Sequence, residues 1–162
     1  NGAYAFDGDD YISLGNTSDF AQSPFSVAVW VKFSSFDTEA IFSRFESVPA
    51  GWELLTDSQR PRLVIGNGSS GGAVAGSTSM NTGQWYHMVA TFNSGNVTIY
   101  LDGSQDGTGT QSLQISTNKE AKLGQSTAFN ANYLNGSIAH AEYYNKELSS
   151  TEVSNLYNNG SI

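Results

Sequence analysis

The stretch FSVAVWVKF, residues 25–33, puts an apolar residue at every second position: Phe25, Val27, Val29, Val31 and Phe33. Side chains along a strand alternate faces with a period of two, so this run reads as a strand with one wholly apolar face. Ser26, Ala28, Trp30 and Lys32 take the other face. The same period returns in QWYHMVATFNSGNVTIYLDG, residues 84–103. There Tyr86, Met88, Ala90 and Phe92 share one face, and Trp85, His87, Val89 and Thr91 share the other. Asn93-Ser94-Gly95-Asn96 makes a short polar hairpin. Val97, Ile99 and Leu101 then resume the apolar face, with Thr98 and Tyr100 opposite. One face is core. The second is aromatic and polar, and function can sit there.

Shorter runs surround these two. AYAFDGDDYISL reads as strand, Asp-Gly turn and strand; EAIFSRF, GWELLT and RPRLVIGN as three more strands. GNGSSGGAVAGS reads as a flexible loop beside an edge strand, and DGSQDGTGTQ as turn-rich and polar. AKLGQ is a short strand, and YLNGSIAHAEYYNKEL holds a long one. With 17 Gly placed where strands should turn and only 3 Pro, the chain has the profile of an all-β domain with short connections. The one predicted helix is SSTEVSNLYNNG. Ser149 precedes Glu152 by three residues, a capping box; Val153, Leu156 and Tyr157 form an apolar stripe, and Gly160 supplies the stop. No linker divides the 162 residues, so 1–162 is read as a single domain. A domain of this size buries roughly 70% of the surface its unfolded chain exposes.

The charge balance excludes some partners. Fifteen acidic residues against 7 basic give a net charge of −8, and no basic patch is visible, which argues against nucleic acid. The acidity suits solubility, cation binding or a neutral ligand. The absence of Cys removes disulfides, thiolate metal sites and a Cys nucleophile. No apolar run of about 18 residues is present, so no membrane insertion is expected. The chain opens directly in a strand pattern, Ala3-Tyr4-Ala5-Phe6, and is expected to be tethered to other domains of a longer chain. Sequons stand at Asn16, Asn67, Asn96, Asn135 and Asn159; in a chain this rich in Asn, Ser and Thr they arise by chance.

The order of AFDGDDYISLG, FSVAVWVKF, GWELLTDSQRPRLVIG, GQWYHMVATFNSGNVTIYLDG, LGQS and LNGSIAHAEYYNKELSSTEVSNLY resembles the laminin-G-like family of the concanavalin-A-like jelly-roll superfamily, in its bacterial and phage form. The resemblance covers nearly the whole chain. It implies an antiparallel β-sandwich, one sheet concave and one convex, with the termini side by side and one short C-terminal helix. It also implies an appended module at an extracellular, cell-surface or virion-surface location that binds a polysaccharide or glycan. The alternative is a structural or adhesion domain with no sugar binding of its own. Relatives often carry Asp where this chain has Ala139 or His140; if that Asp holds a metal, this chain has lost a ligand.

Two groups of residues are candidates for a sugar. Trp30, Trp85, His87 and Tyr100 stand on the non-core parity of their strands, either as a stacking platform or as a second, smaller core under covering loops. Trp52, Arg44, Arg62 and Tyr133 are less usual for the fold, and Trp52 is expected near a rim because it follows a Gly after the ESVPAG loop. The resulting carbohydrate-binding set is Trp52, Trp85, Arg44, Tyr133, His87 and Tyr100. Asp7, Asp9 and Asp10 place three carboxylates in four residues; calcium takes oxygen ligands, and the resemblance implies a structural calcium near the termini, with Asp7 and Asp9 as ligands. Asp102 and Asp106 read as turn formers.

No enzyme is expected. Laminarinase-like members of the superfamily carry Glu-x-Asp-x-x-Glu on one strand, which this chain lacks. Retaining chemistry needs carboxyls about 5 Å apart. Glu53 and Asp57 share parity but stand about 13 Å apart along a strand. There is no Gly-x-Ser-x-Gly elbow and no His-Glu-x-x-His helix.

Overall fold

A computed structural model describes residues 2–47, 49–114 and 118–160. Its strands are β1 (Tyr4–Asp7), β2 (Ile12–Ser13), β3 (Phe25–Phe33), β4 (Glu39–Phe45), β5 (Ala50–Asp57) and β6 (Arg60–Asn67). They continue as β7 (Gly71–Ala75), β8 (Trp85–Asn93), β9 (Asn96–Leu101), β10 (Ser104–Thr110), β11 (Lys122–Leu123) and β12 (Asn135–Tyr144), and among the described residues one α-helix, α1, spans Ser150–Asn159. The strands form two six-stranded antiparallel sheets, ordered β1-β12-β3-β8-β9-β10 and β2-β11-β4-β5-β6-β7. The fold is the expected all-β jelly-roll sandwich. Among the described residues no helix is long and apolar enough to cross a membrane.

The alternation dictates how the sheets meet. Phe25, Val27, Val29, Val31 and Phe33 are fully buried, as are Met88, Ala90 and Ile99. They face Leu54, Leu63 and Ile65 of the second sheet in one continuous core. The predicted hairpin closes with Asn93 opposite Asn96, and its turn residues Ser94 and Gly95 have positive φ.

The two strands flanking the Asp-Gly segment are present as β1 and β2; they pair in different sheets, β1 with β12 and β2 with β11, so the segment between them crosses the sandwich. Two readings change. The Gly-rich stretch expected as a loop contains strand β7, and the polar stretch expected as turns contains β10. Each is the edge of its sheet, and the two edges press together. A side chain on Gly107 would collide with the Ala75 carbonyl, and one on Gly109 would come within 2.7 Å of Val74 Cγ2. Glycine permits that approach while erasing the alternation by which a strand is recognised.

The outer face of the first sheet is covered in its middle by α1. Ala28, Val89 and Tyr100 pack beneath Leu148 and Val153 as a second small core. The helix starts as its sequence dictates: the Ser149 hydroxyl accepts from Glu152 N at 3.3 Å, and the Glu152 carboxylate accepts from Ser149 N at 2.8 Å. The covering element is therefore the helix, where sequence reasoning expected loops.

Candidate functional site

A bulge shapes the open part of this outer face. Ala139 pairs with Trp30 and Glu142 with Ala28, so His140 and Ala141 together oppose the single residue Val29. His140 takes a positive φ of 47° and stands exposed. Bulges re-aim side chains in this way. Here His140 projects outward while Ala141 and Tyr143 still pack on the core. Across from the bulge, α1 turns Asn155, Leu156, Asn159 and the stop residue Gly160 toward the sheet. Between bulge and helix lies a cleft of about 250 Å³, lined by Trp30, His87, His140, Glu142, Asn155, Leu156, Asn159 and Gly160.

The floor is rigid. Trp30 and His87 are cross-strand partners with ring centroids 5.2 Å apart. Tyr157 of α1 stacks on Trp30 at 5.6 Å with 18° between planes, and rests on the Asp102-Gly103 turn. Asp102 has a positive φ of 50° there, and its carboxylate accepts from His87 N at 2.9 Å. His87 Nδ1 is buried without a hydrogen-bond partner among the described residues, and burial lowers the imidazole's pKa to about 4. His87 is thus a neutral framework group at physiological pH. The Glu142 carboxylate accepts from the Tyr144 hydroxyl, whose pKa is pushed up by burial and by that carboxylate.

The structure separates the sequence-predicted set. Trp85, His87 and Tyr100 share the outer face of the first sheet with Trp30. Tyr100 is buried under α1. Trp85 is half-buried at the start of β8, with Lys32 Nζ 5.3 Å from its ring. Tyr133 is half-buried in the segment leading to β12. Arg62 forms an ion pair with Asp57.

Trp52 and Arg44 are corrections. Trp52 is 1% exposed, ringed by Phe25, Phe42 and Tyr143, and its indole N–H donates to the Phe20 carbonyl at 3.0 Å. No ring face remains for a sugar. β5 begins at Ala50, two residues before Trp52, and its phase turns Trp52 and Leu54 inward while Glu53 turns out. Arg44 is the cross-strand partner of Trp52 and is likewise 1% exposed; it donates to Asn16 Oδ1 at 3.2 Å, and burial lowers its pKa.

The opposite outer face is occupied over β4 and β5. Glu53 accepts from the Ser43 and Ser126 hydroxyls at 2.7 and 2.8 Å, and Thr127 bonds the Phe45 backbone. These bonds pin the segment after β11 over the sheet. Burial raises the Glu53 pKa. Glu53 is enclosed and Asp57 is ion-paired with Arg62, so the two do not form an accessible carboxylate pair.

Asp7, Asp9 and Asp10 do converge. Their carboxylates lie within 4.8 Å of one another, all exposed, at the end of β1. The hydrogen bond between Asp7 and Asp9 holds Asp7 below the ordinary carboxylate range and Asp9 above it. Such an oxygen-only donor set fits a hard cation. Sequence reasoning missed His140 and Glu142 as site residues because a bulge leaves no periodic mark, and Asn155 and Asn159 because they read as the helix's polar side. Their i, i+4 spacing was the available signal.

A sequence profile described as concanavalin A-like lectin/glucanases superfamily matches residues 6–154. No curated protein sequence matches the chain. Among solved structures, it is similar to the CBM40 domain of the Ruminococcus gnavus IT-sialidase, bound to alpha2,3 sialyllactose, with 12% identity, a TM-score of 0.82 and 97% of each chain covered. It is similar to domain 4 of AbnA, a GH43 extracellular arabinanase from Geobacillus stearothermophilus, in complex with arabinotriose, at 22% identity and a TM-score of 0.75, covering 96% of this chain and 76% of that one. It is also similar to a native heptameric SAP-like pentraxin from Limulus polyphemus, at 19% identity and a TM-score of 0.74, covering 96% and 81%. At these identities the likeness is one of fold.

Proposed function

The chain belongs to the concanavalin A-like lectin/glucanases superfamily, and from that premise we propose that it is a non-catalytic carbohydrate-binding module of a larger secreted or surface protein. The observation that carries this reading is the cleft on the outer face of the first sheet. An indole, a carboxylate, an exposed imidazole and two amides converge there on a rigid floor. Sugars present C–H faces to aromatic and aliphatic groups and hydroxyls to polar ones. Two fold neighbours described with arabinotriose and sialyllactose support the class of ligand. Affinity electrophoresis against neutral and anionic polysaccharides tests it: retardation on at least one is expected. A structural or adhesion domain is favoured by a different observation, the enclosure of Trp52, Arg44, His87 and Tyr100 in packing roles. No retardation on any polysaccharide leaves that alternative ahead.

A calcium ion at Asp7 and Asp9, with Asp10 beside them, is the second part of the proposal. Its support is the convergence of the three carboxylates. The Ala139 and His140 positions do not bear on this site, because Asp7 pairs with Asn135, about 13 Å along β12 from Ala139. A cation bound only to the native state at a hundredfold excess over Kd stabilises by about 2.7 kcal/mol. EDTA should then lower the melting temperature by several degrees, and calcium should restore it. An unchanged melt, with no calcium by elemental analysis, removes the ion.

A further inference from the structure

We infer that the cleft between the β12 bulge and α1 is a subsite for a single neutral sugar ring, the terminal residue of a glycan chain. The inference rests on the carbohydrate-binding reading and names its site and ligand class.

Size suits one ring. The cleft holds about 250 Å³, which accommodates one six-membered ring with its hydroxyls. The sheet-side wall and the floor are fixed: Tyr144 holds Glu142, and the Tyr157 stack holds Trp30. A side chain at Gly160 would come within 2.7 Å of Trp30 Nε1, so the bare helix stop keeps the indole edge at the cleft.

Chemistry sets the class. Asn155 and Asn159 lie one turn apart on one helix face, and each amide both donates and accepts. Facing them, the Glu142 carboxylate accepts from hydroxyls. Leu156 offers apolar contact to ring C–H groups, and the Trp30 edge beside Gly160 carries the indole N–H, a further donor. This is a donor–acceptor set for hydroxyls. Among the described lining residues none is Lys or Arg, Glu142 is the one acid, and the whole chain carries −8. A sugar carboxylate there would meet the Glu142 carboxylate with no Lys or Arg to pair it, a juxtaposition that selects against that ligand.

Matched probes test this: galacto- and gluco-oligosaccharides ending in the neutral hexose, and the same chains ending in the uronic acid, titrated by calorimetry into wild type, Glu142→Gln and the Asn155→Ala/Asn159→Ala double variant. Gln keeps an acceptor for the Tyr144 hydroxyl, and Ala is a good helix former, so unchanged melting curves are expected for both variants. A neutral terminus bound by wild type, with Kd at least tenfold weaker in each variant and the uronic-acid terminus bound at least tenfold more weakly, supports the subsite. Binding of a glycan by wild type with equal affinity in the variants overturns the subsite and leaves the module reading standing. Preference for the uronic-acid terminus overturns the neutral class. No binding of these or any other glycan overturns the module reading itself.

Discussion

Trp52 packs between Phe25, Phe42 and Tyr143, with ring centroids 5.5, 5.1 and 5.6 Å away, and its N–H is taken by a backbone carbonyl. Trp30 has Tyr157 stacked on it and His87 tilted beside it, and it borders the cleft. The difference lies in what covers each ring. Trp52 lies between two six-stranded sheets and is enclosed by both. A single helix about 10–12 Å across cannot cover six strands spaced about 4.8 Å apart. It seals Ala28, Val89 and Tyr100 along its axis and leaves a trough at its flank. In this fold a helix-covered sheet face yields both a small core and a cleft beside it.

The largest test of that contrast is truncation of each ring. Trp52→Ala should cost about 3–5 kcal/mol, because a closed aromatic cluster cannot collapse around the void. Trp30→Ala should cost less, about 2–3 kcal/mol, since water can enter from the cleft. Urea denaturation of both variants gives the comparison. Equal losses would mean that the two clusters are equally closed.

Acid probes the same contrast on the outer face alone. His87 has an ordinary pKa of 6.5, lowered to about 4 in the fold. Between those values the unfolded chain binds the extra proton, so stability rises with pH. The contribution is fully present above pH 6.5, is lost as pH falls through 4, and amounts to about 3 kcal/mol at most. Glu39 works in the opposite sense: burial raises it to about 7, so its contribution is present below the ordinary carboxylate value and lost as pH rises through 7. Glu53 and Asp102, also raised by burial, share that sense. The readout is therefore the difference between wild type and His87→Gln, which stays neutral throughout. Wild type should lead at pH 8, and the lead should shrink toward pH 4. A constant gap would show that the imidazole is not held neutral by burial.

The same contrast explains what could be read from the residues. Strands β3, β8 and β9 were legible because both the apolar and the polar-aromatic parity are unbroken along them. The capping box of α1 was legible because its signal is local. Trp52 was misjudged by position: the Gly before it suggested a strand start at a rim, but β5 begins at Ala50 and pairs Trp52 with Arg44 on one side and Ile65 on the other, inside the sheet. β10 was hidden because Gly107 and Gly109 serve a contact with the edge strand β7, distant in sequence, and β7 because Gly71 and Gly72 interrupt its alternation. The cleft was half legible. Trp30 and His87 announced a second face, but a bulge that brings His140 and Glu142 onto it, and a helix that brings Asn155 and Asn159 across from it, are set by pairing and docking.

The smallest expected effect is the most selective. Ser149→Ala removes the cap hydroxyl of α1 and should cost about 1 kcal/mol. A ten-residue helix has little stability of its own; Val153 and Tyr157 dock it, and the capping box fixes where its first turn begins. The inter-sheet core shares none of these contacts, so the surroundings of Trp52 should not change. Amide exchange should speed up in α1 beyond what the global loss explains, while β3 and β8 follow the global stability. If a glycan binds in the cleft, its affinity should fall a few-fold, less than in the Asn155/Asn159 variant, because the amides remain but are held less firmly. Faster exchange confined to α1 would show that the outer-face cover opens independently of the sandwich. Uniform acceleration would show instead that helix and sheets unfold as one unit, and that the cleft is as rigid as the core behind it.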